Sequence, residues 1–208
     1  MMKVAVTGNV ASGKTLLCRT WSGQGVPLVS ADDLAREAVA PGTPGLAAVV
    51  ETFGQGVLDA EGQLNREVLR GIVFNNPSAR EKLEGILHPI IHRLRDEWLR
   101  ERKMEEALLA VAEIPLLFEV GLEGEFDVIV LVDAPPGERL RRLREDRRLE
   151  EEEARKIMEA QIPVQEKMDR ADYVIRNDGS RTDLEIRALA LLDLLRARAR
   201  GEGREEAE

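Results

Sequence analysis

The sequence predicts an α/β fold built on a parallel sheet, and three observations carry that prediction. Lys3 to Thr7 (KVAVT) is a β-rich run of strand length, Gly8 to Thr15 (GNVASGKT) follows it directly, and Thr15 to Trp21 (TLLCRTW) continues with apolar residues at helical spacing. Asp127 to Asp133 (DVIVLVD) is continuously apolar between its acidic ends, the pattern of a strand covered on both faces of a parallel sheet. Between them, helical periodicity and short apolar runs alternate, as crossover-connected strands require.

The loop fits G-x-x-x-x-G-K-[ST] at every fixed position. Gly8 and Gly13 leave room for a turn whose backbone N–H groups point at an anion, and the next helix adds its positive end to the same spot. Phosphate is the natural guest. Lys14 would reach the β- and γ-phosphates of a nucleotide as a point charge, and the Thr15 hydroxyl would ligate a magnesium ion bridging those oxygens. Ala11 stands where many such loops carry another glycine, so its backbone is more restricted.

Composition narrows the class. A chain of 208 residues with 43% hydrophobic content can bury a core as one domain, or as one domain with an inserted lobe. Its 30 basic and 39 acidic residues leave a net charge of -9, which argues against a sequence-independent nucleic-acid binder. A local nest of N–H groups still suits a small anion. No apolar run approaches about 18 residues and no charged-then-apolar leader opens the chain, so neither a membrane span nor a signal peptide is predicted and the address is cytoplasmic. Cys18 is the single cysteine and lies on an apolar helix face, the place of a small core residue.

In chain order, Gly23-Gln24-Gly25 breaks the first helix and Val26 to Val29 reads as a second strand. Ser30 and Asp32 are both good N-caps for the helix that follows. Asp32 has a second reading, since a carboxylate at the carboxyl end of a strand faces the crevice where open α/β sheets bind ligands, and there it could accept a proton from an attacking hydroxyl. Arg36, one turn on, could pair with Asp32 or meet an anionic substrate. After the break at 41–45, Leu46 to Phe53 is helical, and residues 57 to 106 are mostly helical: Asn65 caps a helix through Phe74, Pro77 starts one reaching Leu87, and His88-Pro89 interrupts it before a further helix to about Met104. His88 and His92 stand at i and i+4 without the acid of a zinc helix, which favours structural or substrate contacts over a metal pair. This block reads as a lobe governing substrate selectivity.

Ala107 to Glu113 is the third strand, and Glu113 at its end could orient a magnesium shell. Pro115-Leu116-Leu117-Phe118 could pack a cosubstrate or simply the core. Pro135 and Pro136 start a helix. From Glu138 to Arg170 the chain is charge-dense, with seven arginines between Arg139 and Arg155, and reads as a pair of salt-bridge-laced helices or an arginine-bearing flap of the kind phosphoryl transfer uses. Asp172 to Ile175 is a last strand, 177–180 a turn and Thr182 to Ala199 an amphipathic helix; 201–208 is expected to be a disordered tail.

These motifs together resemble the dephospho-coenzyme A kinase family over about residues 3 to 195. The resemblance rests on GNVASGKT, SADDLAREAVAPG at 30–42, LNREVLRGIVF at 64–74, LEGILHP at 83–89, IPLLFE at 114–119, RLRR at 139–142, Gln161 and ADYVIRN at 171–177. It implies a P-loop NTPase core with a five-stranded parallel sheet (about 1–56, 107–137 and 171–200), a helical coenzyme A lobe (about 57–106) and a lid (about 138–170). ATP and dephospho-coenzyme A are the implied substrates and Mg2+ the implied cofactor. Asp32 is implied as the acid taking the proton of the ribose 3′-hydroxyl as it attacks the γ-phosphate, with Lys14 and the lid arginine Arg142 steadying the transferring group. The nucleotide set becomes Gly8, Ala11, Ser12, Gly13, Lys14, Thr15, Leu16 and Asn177, the metal ligand Thr15, and the acceptor set Asp32, Arg36, His88, Leu116 and Glu119. Ser30 replaces the first acid of the family's usual D-A-D, Asp146-Arg147 inverts its Arg-Asp order, and Lys156 stands where an arginine is common. The expected assembly is a monomer or weak homo-oligomer with no nucleic-acid or membrane partner. The rivals are another small-molecule or nucleoside monophosphate-type kinase, a catalytically silent nucleotide-binding scaffold, and a GTPase switch, for which Asp59 to Gly62 fits D-x-x-G but no guanine-reading [NT]-K-x-D follows.

Overall fold

The computed structural model describes residues 1–74 and 76–201, so the expectation for the tail beyond Gly201 lies outside the described residues. Five strands, β1 (Met2–Thr7), β2 (Leu28–Ser30), β3 (Leu109–Glu113), β4 (Val128–Asp133) and β5 (Tyr173–Arg176), form one sheet in the order β2-β3-β1-β4-β5. The pairings of β1 with β3 and β4, and of β4 with β5, are parallel. The helices are α1 (Lys14–Ser22), α2 (Ala31–Ala38), α3 (Pro44–Phe53), α4 (Arg66–Phe74), α5 (Pro77–Met104), α6 (Pro136–Glu145), α7 (Glu151–Glu159), α8 (Val164–Met168) and α9 (Arg181–Arg200). The second strand starts later than its apolar run suggests, because Pro27 has no N–H to give a ladder and Val26 N–H turns back to Trp21 O at 3.2 Å. None of the described helices is long and apolar enough to cross a membrane.

The chain divides into two units, Met1–Leu28 with everything from Arg102 onward, and Val29–Glu101. In the first unit β1 is the central strand, and Val4, Ala5 and Val6 are fully buried because both faces are covered. Val4 stands beside Val111 of β3 and Val128 of β4, and Val6 beside Glu113, so the strands end at a common level where the glycine loop leaves β1. Trp21 of α1 is fully buried in the core with Leu17, Leu184, Leu192 and Leu195, and its Nε1–H donates to Ala188 O of α9 at 2.7 Å. That bond satisfies the one polar atom of a large apolar side chain.

The second unit is helical around Val39, Leu46, Val49, Val57 and Leu69. Its helices start on side-chain caps: Ser30 Oγ accepts from Asp32 N, Thr43 Oγ1 from Leu46 N, and Asn65 Oδ1 from Val68 N. Gly45 is required for α3 to meet α2, since a Cβ there would lie 2.1 Å from Ala38 O. The predicted interruption at His88-Pro89 is absent: α5 runs through Pro89 as one helix of 28 residues. A proline inside a helix costs about 3 kcal/mol. Leu83, Ile86 and Leu87 before it pack against the apolar cluster, and that tertiary contact overrides the local cost.

The charge-dense segment folds as three helices rather than a pair. Pro163 precedes the five-residue α8, and Arg148 takes a left-handed turn (φ 55°) between α6 and α7. The predicted lacing is present, with Arg141 between Glu138 and Glu145, Arg155 on Glu151 and Lys156 on Glu152. Exposed pairs of this spacing add little to stability, because water and salt screen them.

Candidate active site

The loop between β1 and α1 is shaped by close backbone approaches. Gly8 (φ 148°) admits no side chain, because a Cβ would lie 2.2 Å from Val132 O of β4. Gly13 (φ 105°) is closed off in the same way, 2.3 Å from Asn177 Nδ2. Asn177 is the clamp: its backbone N–H donates to Asp133 O at 2.6 Å and its Nδ2 donates to Ser12 O at 2.8 Å, tying the loop to the ends of β4 and β5. Ala11 occupies the left-handed region (φ 58°), a conformation that costs a residue with a Cβ about 1–2 kcal/mol. The restriction expected at this position is therefore borne as strain. Inside the loop Ser12 N–H donates to Asn9 O at 3.2 Å, whereas the N–H groups of Ala11, Gly13, Lys14 and Thr15 have no hydrogen-bond partner among the described residues. With the positive end of α1 behind them, they form a nest for an anion.

Lys14 folds back over this nest. Its Nζ donates to Gly8 O at 2.8 Å and Asn9 O at 3.0 Å with only 8% of the residue exposed. Burial pushes its pKa down to about 8; Glu113 opposes that fall, while Lys167 and Arg147 add to it. The exposed Thr15 of α1 donates its hydroxyl to Oε1 of Glu113 at the end of β3, a long bond of 3.5 Å that sets two oxygen-bearing side chains side by side. Cys18, one turn deeper, is buried, and burial together with Glu113 drives its thiol far above its ordinary range, so it packs as a neutral core residue.

The segment that follows β4 contributes two contacts to the loop. Arg142 of α6 donates from Nη1 to Ala11 O at 3.1 Å and from Nη2 to Asn177 O at 3.5 Å. Gln161, between α7 and α8, accepts from Val10 N–H through Oε1 at 2.8 Å. Arg139, on the buried side of α6, is held below the usual arginine range by burial, with Asp133 opposing.

Among the expected acceptor contacts, Leu116 is 49% exposed, while Leu117 and Phe118 beside it are core. Glu119 accepts from the Nζ of Lys167 at 2.6 Å, and Lys167 is fully buried. Sequence reasoning missed Lys167, because in a run rich in charge it looks like a solvated surface residue; its position four residues past Pro163, on a short amphipathic turn, is the only local hint. In the second unit, the cap of α2 is Ser30 rather than Asp32, and the Asp32 side chain is exposed. Arg36 pairs with Asp33, not with Asp32. His88 is half-buried on α5, and its ring stacks on that of His92, centroids 6.4 Å apart and 4° from parallel. Among the described residues no three metal-ligating side chains gather into a cluster.

A family model described as "Dephospho-CoA kinase" matches residues 2–183. The chain belongs to the dephospho-CoA kinase family. It is 43% identical over 188 residues to the dephospho-CoA kinase of Frankia casuarinae, covering 90% of this chain and 80% of that one. Two solved structures share its fold: TT1252 from Thermus thermophilus, with TM-score 0.78 at 36% identity over 93% of this chain and 97% of that one, and dephospho-CoA kinase from Campylobacter jejuni, with TM-score 0.66 at 25% identity over 93% and 96%. The fold is that of the P-loop kinases, a five-stranded sheet flanked by helices, as the family resemblance implied.

Proposed function

We propose that this protein transfers the γ-phosphoryl group of ATP to the ribose 3′-hydroxyl of dephospho-coenzyme A, giving coenzyme A and ADP. The observation that carries this reading is the family match over residues 2–183, in a chain whose phosphate loop is complete. The unpartnered N–H groups of the loop and Lys14 bind the phosphates, with Gly8, Ala11, Ser12, Gly13, Leu16 and Asn177 shaping the nucleotide site. Phosphoryl transfer needs little covalent help from the protein, so positioning and charge supply most of the acceleration. Lys14 Nζ rests on neutral carbonyls, and its charge gains most where the β–γ bridge breaks. Arg142 leaves its two carbonyl partners for the transferring group.

Asp32 takes the proton of the attacking 3′-hydroxyl; with the capping of α2 carried by Ser30, its carboxylate is free for that work. Arg36, His88, Leu116 and Glu119 hold the acceptor. The oxygen pair Thr15 and Glu113 suits a hard cation, and Thr15 would ligate Mg2+ while Glu113 orients its water shell. When bound, that ion neutralises charge on the phosphate oxygens. We also propose a cytoplasmic enzyme, monomeric or weakly self-associating, with no nucleic-acid partner at a net charge of -9.

An ADP-coupled assay across a panel of hydroxyl acceptors tests the reading. Multiple turnover with dephospho-coenzyme A, well above nucleosides, shikimate and water, is the expected result. Preference for another acceptor refutes the substrate assignment, and ATP hydrolysis without any acceptor preference refutes the kinase reading.

A further inference from the structure

Gln161 has no role in the mechanism above, yet it makes the one side-chain contact that occupies an N–H group of the phosphate loop's interior among the described residues. Its Oε1 accepts from Val10 N–H at 2.8 Å, across 151 positions of chain. The peptide it holds is informative. The carbonyl of that same peptide unit, Asn9 O, accepts from Lys14 Nζ at 3.0 Å, beside Gly8 O at 2.8 Å. A lysine in this loop position reaches toward the β- and γ-phosphates, so the peptide on which it rests marks the terminal-phosphate end of the nest. Arg142 grips Ala11 O, two residues further along the loop, at 3.1 Å. The N–H groups toward the start of α1, at Gly13, Lys14 and Thr15, have no partner among the described residues. The segment after β4 therefore closes on one end of the nest and leaves the other open.

We infer that Gln161 is a terminal-phosphate residue: its carbonyl satisfies Val10 N–H when no γ-phosphate is present, and its amide N–H donates to that phosphate when ATP is bound. The inference deepens the reading of the loop as an ATP site and rests on it. A glutamine suits both states because one planar group carries an acceptor and two donors. A phosphate oxygen is the stronger acceptor for Val10 N–H, because a charged partner shortens and strengthens the bond. Exchange is thus favoured by ATP and not by ADP, whose phosphates end before the occupied peptide.

Titration of the full-length protein with ATP and with ADP, each with magnesium and without acceptor, tests this on wild type, Gln161→Glu and Gln161→Ala. A carboxylate keeps the shape, grips Val10 N–H more firmly and repels the γ-phosphate. Gln161→Glu is expected to weaken ATP by about tenfold or more while ADP stays within about threefold of wild type. Gln161→Ala is expected to lose ATP affinity to a smaller degree, about threefold, with ADP unchanged. Equal losses for both nucleotides would make Gln161 a purely structural contact and overturn the inference, as would unchanged affinity for ATP in both variants. A wild-type protein that binds neither nucleotide overturns instead the ATP reading beneath it.

Discussion

Lys14 couples nucleotide binding to protons, and its surroundings fix the size of the effect. With 8% of the residue exposed and two carbonyls as its only hydrogen-bond partners among the described residues, the ammonium has its pKa lowered to about 8 by burial, only partly offset by Glu113. In the nucleotide-free protein about half of Lys14 is therefore neutral at pH 8. Phosphates bring negative charge beside it and favour the ammonium, so the pKa rises on binding. Because the free value lies below the bound one, affinity is nearly flat below pH 7. It falls by about tenfold per unit once pH exceeds 8, until the bound pKa is reached. Between pH 7 and pH 9 the protonated fraction drops from roughly nine-tenths to roughly one-tenth, and affinity drops about tenfold. Calorimetric titration with magnesium ADP, run at pH 8 in two buffers of different ionisation enthalpy, should show uptake of about half a proton. Lys14→Met should bind more weakly and lose this uptake. Affinity that does not change from pH 7 to pH 9, or an equal fall in Lys14→Met, would mean that Lys14 does not carry the proton coupling.

Three further outcomes are expected. Asp32→Asn keeps the shape of an exposed side chain on α2 but cannot take a proton, so turnover should fall about 10²- to 10⁴-fold while nucleotide titration is unchanged; turnover within a few-fold of wild type would move the role to Asp33. Arg142→Ala should cost about a hundredfold or more in turnover with little change in melting temperature, whereas Arg147→Ala should cost less than about tenfold and shift the alkaline midpoint of nucleotide binding upward, because it removes a positive charge acting on Lys14. Asn177→Asp sets an acceptor against Ser12 O in a position only 6% exposed, so thermal unfolding should show a loss of about 1–3 kcal/mol.

The local parts of this molecule were legible in its sequence. The loop from Gly8 to Thr15 is a contiguous pattern, and β4 announces its double burial in a single apolar run. Caps at Ser30 and Asn65 follow from residue type, although at Ser30-Ala31-Asp32 the choice between two capping residues was decided only by geometry. Interactions that cross the chain were not legible. Asn177 closes on Ser12 and Gln161 on Val10 over separations of 165 and 151, and no local spacing encodes either contact. Pro89 misled for the complementary reason, since its local cost is plain in the sequence and the packing of Leu83, Ile86 and Leu87 that outweighs it is not. Lys167 was hidden by its company: charge density in α7 and α8 signals solvent, and burial against Glu119 arises only when α8 docks on the turn after β3.

Phosphorus NMR of the reaction mixture reads the phosphoryl transfer itself. With ATP, magnesium and dephospho-coenzyme A, one new phosphomonoester resonance on the ribose 3′-oxygen is expected, growing in equal amount with ADP over many turnovers. Consumption of ATP with the acceptor unchanged, or a phosphate appearing at any other position of it, would mean that the protein is not the kinase of this 3′-hydroxyl.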